Sequence, residues 1–162
     1  MKYRREGFTL IELLVVMAII GILSSVGISN FRSSQVKARD AKRKSDLEQI
    51  QRALEIYLND KGNYPVSDSE SGGKISAFNK VFDWGDEFSE EFDDPQKTNT
   101  VYMKELPDDP LSPAQTYCYK SDGSFYQLYA KLENSRDPSL GGSYFCGSSS
   151  YNYGVSSSNT SP

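Results

Sequence analysis

The chain opens with one apolar block and then changes character. From Phe8 to Phe31 the residues read FTLIELLVVMAIIGILSSVGISNF, with Glu12 as the only charge. As a helix this block would reach about 36 Å, enough for a hydrocarbon core of about 30 Å. Downstream, Leu47, Ile50, Leu54, Tyr57 and Leu58 recur at helical spacings and make a single apolar stripe. Lys, Arg, Asp and Glu fill the other faces. Asn59-Asp60-Lys61-Gly62 reads as a helix end, with Gly62 suited to a left-handed cap, and Pro65 prevents a restart. The pattern predicts one long helix from Phe8 to Asp60, apolar on every side in its first half and amphipathic in its second.

Beyond the helix the polar pattern is irregular from residue 66 to 100. Ser67 to Lys74 reads as a polar loop. Asp83, Asp86, Glu87, Glu90, Glu91, Asp93 and Asp94 form an acidic run interleaved with Phe82, Trp84, Phe88 and Phe92. Gln115 to Lys120 and Phe125 to Leu132 then alternate as two strands around Ser121-Asp122-Gly123-Ser124. Asp-Gly at the tip is a type I′ turn signal. Tyr126, Leu128, Ala130 and Leu132 share the face expected to lie on the amphipathic half of the helix. A third short strand is expected over Ser143 to Cys146, with Tyr151 to Val155 continuing it. From Gly147 the chain is rich in Ser, Asn, Tyr and Gly, which predicts a surface loop or disorder. Together these elements predict an α+β fold: a long N-terminal helix packed on a small antiparallel sheet.

Composition narrows the chemistry. The 162 residues have a mean hydropathy of -0.58 and a net charge of -4, so most of the chain suits water and nothing in the balance calls for nucleic acid. The absence of His excludes His-based triads, His zinc ligands and His acid–base catalysis. Cys118 and Cys146 alone cannot build a Cys-rich metal or iron–sulfur site. The acidic run could hold calcium through oxygen ligands. A solvated acidic face with its aromatics turned inward is the alternative. Eleven Tyr suit half-exposed sheet surfaces, where the ring packs and the hydroxyl stays wet.

The apolar block admits a secretory signal peptide or a plain signal anchor, with Lys2, Arg4 and Arg5 as the cationic start. Neither accounts for Glu12, because a lone carboxylate in apolar surroundings costs a few kcal/mol and needs a partner. Gly7-Phe8-Thr9-Leu10-Ile11-Glu12, after a short basic leader, resembles the processing site of type IV prepilins and pseudopilins. The resemblance implies a leader over 1–7, a transmembrane or filament-core helix over 8–31, its amphipathic continuation over 32–60 and a globular head over 61–162. It implies that prepilin peptidase cuts after Gly7 and methylates the new amine of Phe8. That amine would neutralise Glu12 of a neighbouring subunit during assembly.

Further expectations follow from the resemblance. The head would lie outside the cytoplasmic membrane and later in an extracellular or periplasmic filament. Arg32, Lys37, Arg39, Lys42, Arg43 and Lys44 follow the apolar block, and the positive-inside rule would instead keep that side cytoplasmic. In a fibre such cations would pair with acidic neighbours. Outside the cytoplasm Cys118 and Cys146 would form a disulfide, closing a loop of about 29 residues for roughly 3 kcal/mol; two separate thiols are the alternative. Tyr102-Met103-Lys104-Glu105-Leu106-Pro107-Asp108-Asp109-Pro110 resembles a stretch of the G-type major pseudopilins of type II secretion, with Leu111 where that group has tryptophan. Three roles stay open: pilus subunit, secretion pseudopilin, or membrane-anchored binding protein. The first two imply copies of the chain, a peptidase, an assembly platform and the membrane as partners. No catalytic constellation is present, and no cofactor is expected apart from the calcium alternative.

Overall fold

The computed structural model describes residues 7–68, 73–92 and 98–162, giving the backbone alone for 25–30. The leader cations Lys2, Arg4 and Arg5, the middle of the Ser67–Lys74 loop, and Asp93 and Asp94 lie outside the described residues. Two units are compact by themselves: the first ends at Ala38 and the second runs from Arg39 to Pro162. Helix α1 (Leu10–Lys61) starts two residues later and ends one residue later than its pattern predicts. At its end Gly62 takes φ +78° and donates to the Leu58 carbonyl at 2.8 Å. That positive φ is the left-handed stop that glycine adopts without a Cβ penalty.

In the second unit ten short strands follow the helix: β1 (Val66–Asp68), β2 (Lys74–Ala77), β3 (Lys80–Phe82), β4 (Phe88–Glu90), β5 (Thr100–Met103), β6 (Cys118–Ser121), β7 (Tyr126–Ala130), β8 (Tyr144–Cys146), β9 (Ser149–Tyr151) and β10 (Tyr153–Ser156). All pair antiparallel, in sheets β1-β2-β3, β10-β7-β6, β4-β5 and β8-β9. The expected irregular stretch at 66–100 therefore contains four strands and the start of a fifth. They are three or four residues long, too short for alternation to show in the sequence.

The helical stripe and the predicted sheet face meet as expected. Leu47, Ile50, Leu54 and Tyr57 are buried together with Tyr126, Leu128 and Ala130, and Leu132 is also buried. Each fully buried Leu or Ile contributes about 1.5–3 kcal/mol. Aromatics supply much of the remaining core. Tyr57, Phe88 and Tyr102 have ring centroids 5.1–5.6 Å apart, and Phe82 meets Phe88 edge-on at 5.1 Å.

The tyrosines differ from expectation. Tyr64, Tyr102, Tyr117 and Tyr119 are buried, and their hydroxyls donate inside the protein. Acceptors are Glu55 at 2.9 Å, Asp60 at 2.6 Å, Asp46 at 2.7 Å and the Pro65 carbonyl at 2.6 Å. A buried hydroxyl without an acceptor is costly, so these carboxylates on α1 fix where the aromatic layer sits.

Three local expectations are corrected. The β6–β7 register pairs Ser121 with Tyr126, leaving the loop Asp122–Phe125, in which Gly123 has φ +96° and no other residue a positive φ. A type I′ turn needs two positive φ values, and it occurs instead at Phe78-Asn79 (φ 54° and 59°), between Ala77 and Lys80 of β2 and β3. Phe78 tolerates this conformation while its ring packs 5.6 Å from Tyr57 and 6.2 Å from Tyr102.

The third strand of the main sheet is β10, on the far side of β7. Ser143–Cys146 instead contributes β8, which forms a separate hairpin with β9. The segment after Gly147 is accordingly ordered into β9 and β10. Gln51 of α1 donates to the Ser156 carbonyl at 3.2 Å, and the Tyr126 amide donates to Ser157 Oγ at 3.2 Å. Low aliphatic content misleads here because Tyr151 and Tyr153 take the packing role.

Candidate functional site

Gly7 and Phe8 precede α1 in non-helical backbone, and Phe8 is 93% exposed. Thr9 is the N-cap. Its Oγ accepts from the Glu12 amide at 3.3 Å, while Glu12 Oε2 accepts from the Thr9 amide at 2.8 Å and from the Thr9 hydroxyl at 2.7 Å. This reciprocal pair is a capping box, which satisfies donors that the first helical turn leaves open. Glu12 thus meets its own Thr9 in the single chain. No ion pair to Glu12 occurs among the described residues.

From Leu10 to Leu23 every large apolar side chain is exposed, by 48–82%. Ordinary soluble surfaces scatter single apolar residues but do not expose a whole helix of them. Among the described residues no helix is long and apolar enough to cross a membrane.

The cations after the apolar block divide into two groups. Arg39 grips Glu133 through two bonds of 2.7 and 2.6 Å. Arg43, fully buried, holds Asp109 through two bonds of 2.7 and 3.0 Å, and its Nη1 donates to Asp40 and Glu133 at 2.8 and 2.7 Å. Asp40 also accepts the amides of Glu133 and Asn134 at 2.9 and 2.8 Å. Lys44 donates to Asp137 at 2.7 Å. Arg32 and Lys37 make no ion pair among the described residues. Half of the expected fibre-facing cations therefore serve the fold of the second unit.

Electrostatics follow from these contacts. The Arg39 bonds, reinforced by Arg43, hold the Glu133 carboxyl down to about 2. Burial opposes the Arg43 charge, but its three carboxylates outweigh burial and keep it protonated. Burial pushes the Asp46 carboxyl up against the bond from Tyr117. The network gives the Leu106–Asp109 stretch a structural role: Leu106 is fully buried and Asp109 is the bidentate partner of Arg43.

Cys118 and Cys146 are joined by a disulfide with Cα atoms 6.5 Å apart. Gly73 lies against it. A Cβ there would come within 2.2 Å of Cys118 Sγ, and φ is +85°, so only glycine fits. Tyr129 stacks on Tyr144 and Tyr151 beside the bridge, at 5.1 and 6.1 Å. Among the described residues no three Cys, Asp or Glu side chains converge to hold a metal ion. Several carboxylates of the acidic run pair with lysines instead: Asp83 with Lys74, Glu90 with Lys61 at 2.6 Å, and Glu91 with Lys80 at 3.7 Å.

Comparisons with known proteins bear on the N-terminal segment first. Residues 2–28 match the family described as "Prokaryotic N-terminal methylation motif". The chain is 39% identical over 67 residues to a "Type II secretion system core protein G" of Aeromonas hydrophila, covering 41% of this chain and 47% of that protein. It is 36% identical over 74 residues to the protein of that name from Klebsiella pneumoniae, covering 46% and 53%. It is 38% identical over 69 residues to the "Type IV major pilin protein PilA" of Myxococcus xanthus, covering 43% and 31%. The matches thus span about half the length of these relatives or less. No solved structure matches the chain. With its methylation motif, these partial likenesses and an α+β architecture of N-terminal helix and small antiparallel sheets, the chain is similar to type IV pilins and type II secretion pseudopilins.

Proposed function

We propose that the chain is a structural subunit of a type IV pilus or related filament. Prepilin peptidase removes residues 1–7, the amine of Phe8 is methylated, and the subunit polymerises through its N-terminal helix. The observation that carries this reading is the capped helix start beside an unbroken run of exposed apolar side chains. Such a surface needs either lipid or other copies of itself. Residues 8–31 sit in the cytoplasmic membrane before assembly and in the filament core afterwards, residues 32–60 continue the helix, and residues 61–162 form the head outside the cytoplasm. During assembly the Phe8 amine of one subunit replaces Thr9 as the partner of Glu12 on its neighbour, because opposite charges in an apolar medium attract far more strongly than in water. The chain is a substrate of the peptidase and itself a structural element.

A second reading, a major pseudopilin of type II secretion, is favoured by the relatives named core protein G and by the Leu106–Pro110 stretch. Both readings share the processing and assembly steps. The test is Glu12→Ala in the native host, followed by mass of the mature chain and electron microscopy of sheared filaments. Cleavage after Gly7 without filaments is the expected result. Normal filaments would overturn the charge-pairing step, and a stable monomer indifferent to Glu12 would support a membrane-anchored binding protein. Exoprotein secretion in the same strain separates pilus from pseudopilus.

A further inference from the structure

The cations after the apolar run differ in what they touch. Arg39, Arg43 and Lys44 are bound to carboxylates of the second unit. Arg32 and Lys37 are exposed and make no ion pair among the described residues. Both belong to the first unit, together with the apolar run. No Asp or Glu lies between Glu12 and Asp40 in the sequence. Asp40, one turn from Lys37, is 2% exposed and already holds Arg43 and the amides of Glu133 and Asn134. Along the helix, then, the two cations find no carboxylate free to neutralise them.

Their placement fits one kind of partner. At the helical rise, Leu10 to Phe31 spans about 33 Å, close to a hydrocarbon core of about 30 Å. Arg32 then stands at the edge of that core and Lys37 roughly 8 Å beyond it, in the headgroup layer. Five residues turn a helix through about 500°, so the two side chains leave its axis about 140° apart. An acidic face on one neighbouring protein meets only one of them. Headgroups surround a membrane helix on every side and meet both.

The chemistry of the pair selects the headgroup. Under the proposed function this flank lies outside the cytoplasm, where the positive-inside bias disfavours Lys and Arg, so the charge calls for an anion on that side. A zwitterionic headgroup carries its own cation beside the phosphate, whereas an anionic one leaves the phosphate charge free. Arg grips phosphate through its planar fork and Lys meets it as a point charge. Each cation near an anionic leaflet gains about fivefold in preference. The attraction fades within about 8 Å at physiological salt. Lys42 follows Lys37 by more than a helical turn and is left out, although it too is exposed without an ion pair among the described residues.

We infer that Arg32 and Lys37 form a collar that binds the headgroup phosphates of anionic phospholipid in the outer leaflet while the subunit awaits assembly. The collar rests on the proposed reading of residues 8–31 as a membrane span. The experiment places the full chain in bilayers of equal parts phosphatidylglycerol and phosphatidylcholine. Alkaline carbonate extraction tests the span, and native mass spectrometry from bilayer discs counts the lipids that stay bound. The chain should resist extraction and retain more phosphatidylglycerol than phosphatidylcholine, with the excess reduced at high salt. Arg32→Gln and Lys37→Gln should each lower the ratio about fivefold, whereas Arg32→Lys and Lys42→Gln should leave it in place. The leader cations Lys2, Arg4 and Arg5, where still attached, are the same in every variant and cancel in this comparison. A chain that washes out would remove the span and the collar together. A chain that stays inserted but retains both lipids equally would overturn the collar alone. An unchanged ratio in the double variant would do the same. Loss of filaments in that variant, without any lipid preference in the natural chain, would assign the cations to an acidic neighbour in the fibre and overturn the collar.

Discussion

Leu13 and Leu54 lie on the same helix and are used in opposite ways. Leu13 is 60% exposed amid an apolar run that covers every face of the helix, whereas Leu54 is fully buried on a stripe flanked by charge. The first unit leaves its apolar surface open, and under the proposed function lipid or other copies cover it. The second unit closes on itself through aromatic packing, an ionic cluster and a disulfide. Changes in the first should therefore alter processing and assembly without touching the stability of the head. Changes in the second should do the reverse.

The largest expected effect is at the processing site. Gly7→Leu should leave the leader attached and abolish filaments, with the head melting as before, read by intact mass and thermal unfolding. A shifted melting temperature would break the separation of the two units.

Next comes the ionic cluster. Arg43→Met leaves Asp109 and Asp40 buried without their cation, which should cost about 3–5 kcal/mol, because an unpaired buried charge is far worse than none. Denaturant titration checks this, and cleavage after Gly7 should remain normal. Removing the bridge with Cys118→Ser and Cys146→Ser together should lower stability by roughly 3 kcal/mol through the freed loop. The same comparison under reducing conditions should reproduce the loss in the natural chain.

The smallest effect concerns pH. The Glu133 carboxyl is held down to about 2 in the folded chain against 4.5 for the ordinary group. The stability it adds is therefore complete above about pH 4.5 and is lost as pH falls towards 2. Glu133→Gln should flatten the acid limb of the stability curve over that window. An unchanged limb would remove Glu133 from the account.

The sequence made the helix stripe and the β7 face legible because each repeats at its own period. The ionic cluster went unseen because Asp40 and Arg43 are charged. Yet the series 40, 43, 47, 50, 54, 57 is one continuous stripe, so charges in phase with an apolar stripe were the available signal. A strand over Tyr151 to Val155 was legible and overlaps β10, but its pairing with β7 was not, because that pairing is non-local. The turn at Phe78-Asn79 lacks glycine and is held by long-range aromatic contacts, which local turn rules do not register. At the candidate site, Gly7, Phe8 and Glu12 were legible as a motif. The capping role of Thr9 follows from its spacing to Glu12 and needed only the T-x-x-E pattern to be applied.

The most direct test of the central claim is the intact mass of the chain purified from its native membranes. A mass beginning at Phe8, with one added methyl group and two hydrogens missing, is the predicted result. It would join processing, methylation and the disulfide in one measurement. A mass beginning at Met1 with free thiols would contradict the account, leaving an unprocessed anchor with its head in the cytoplasm.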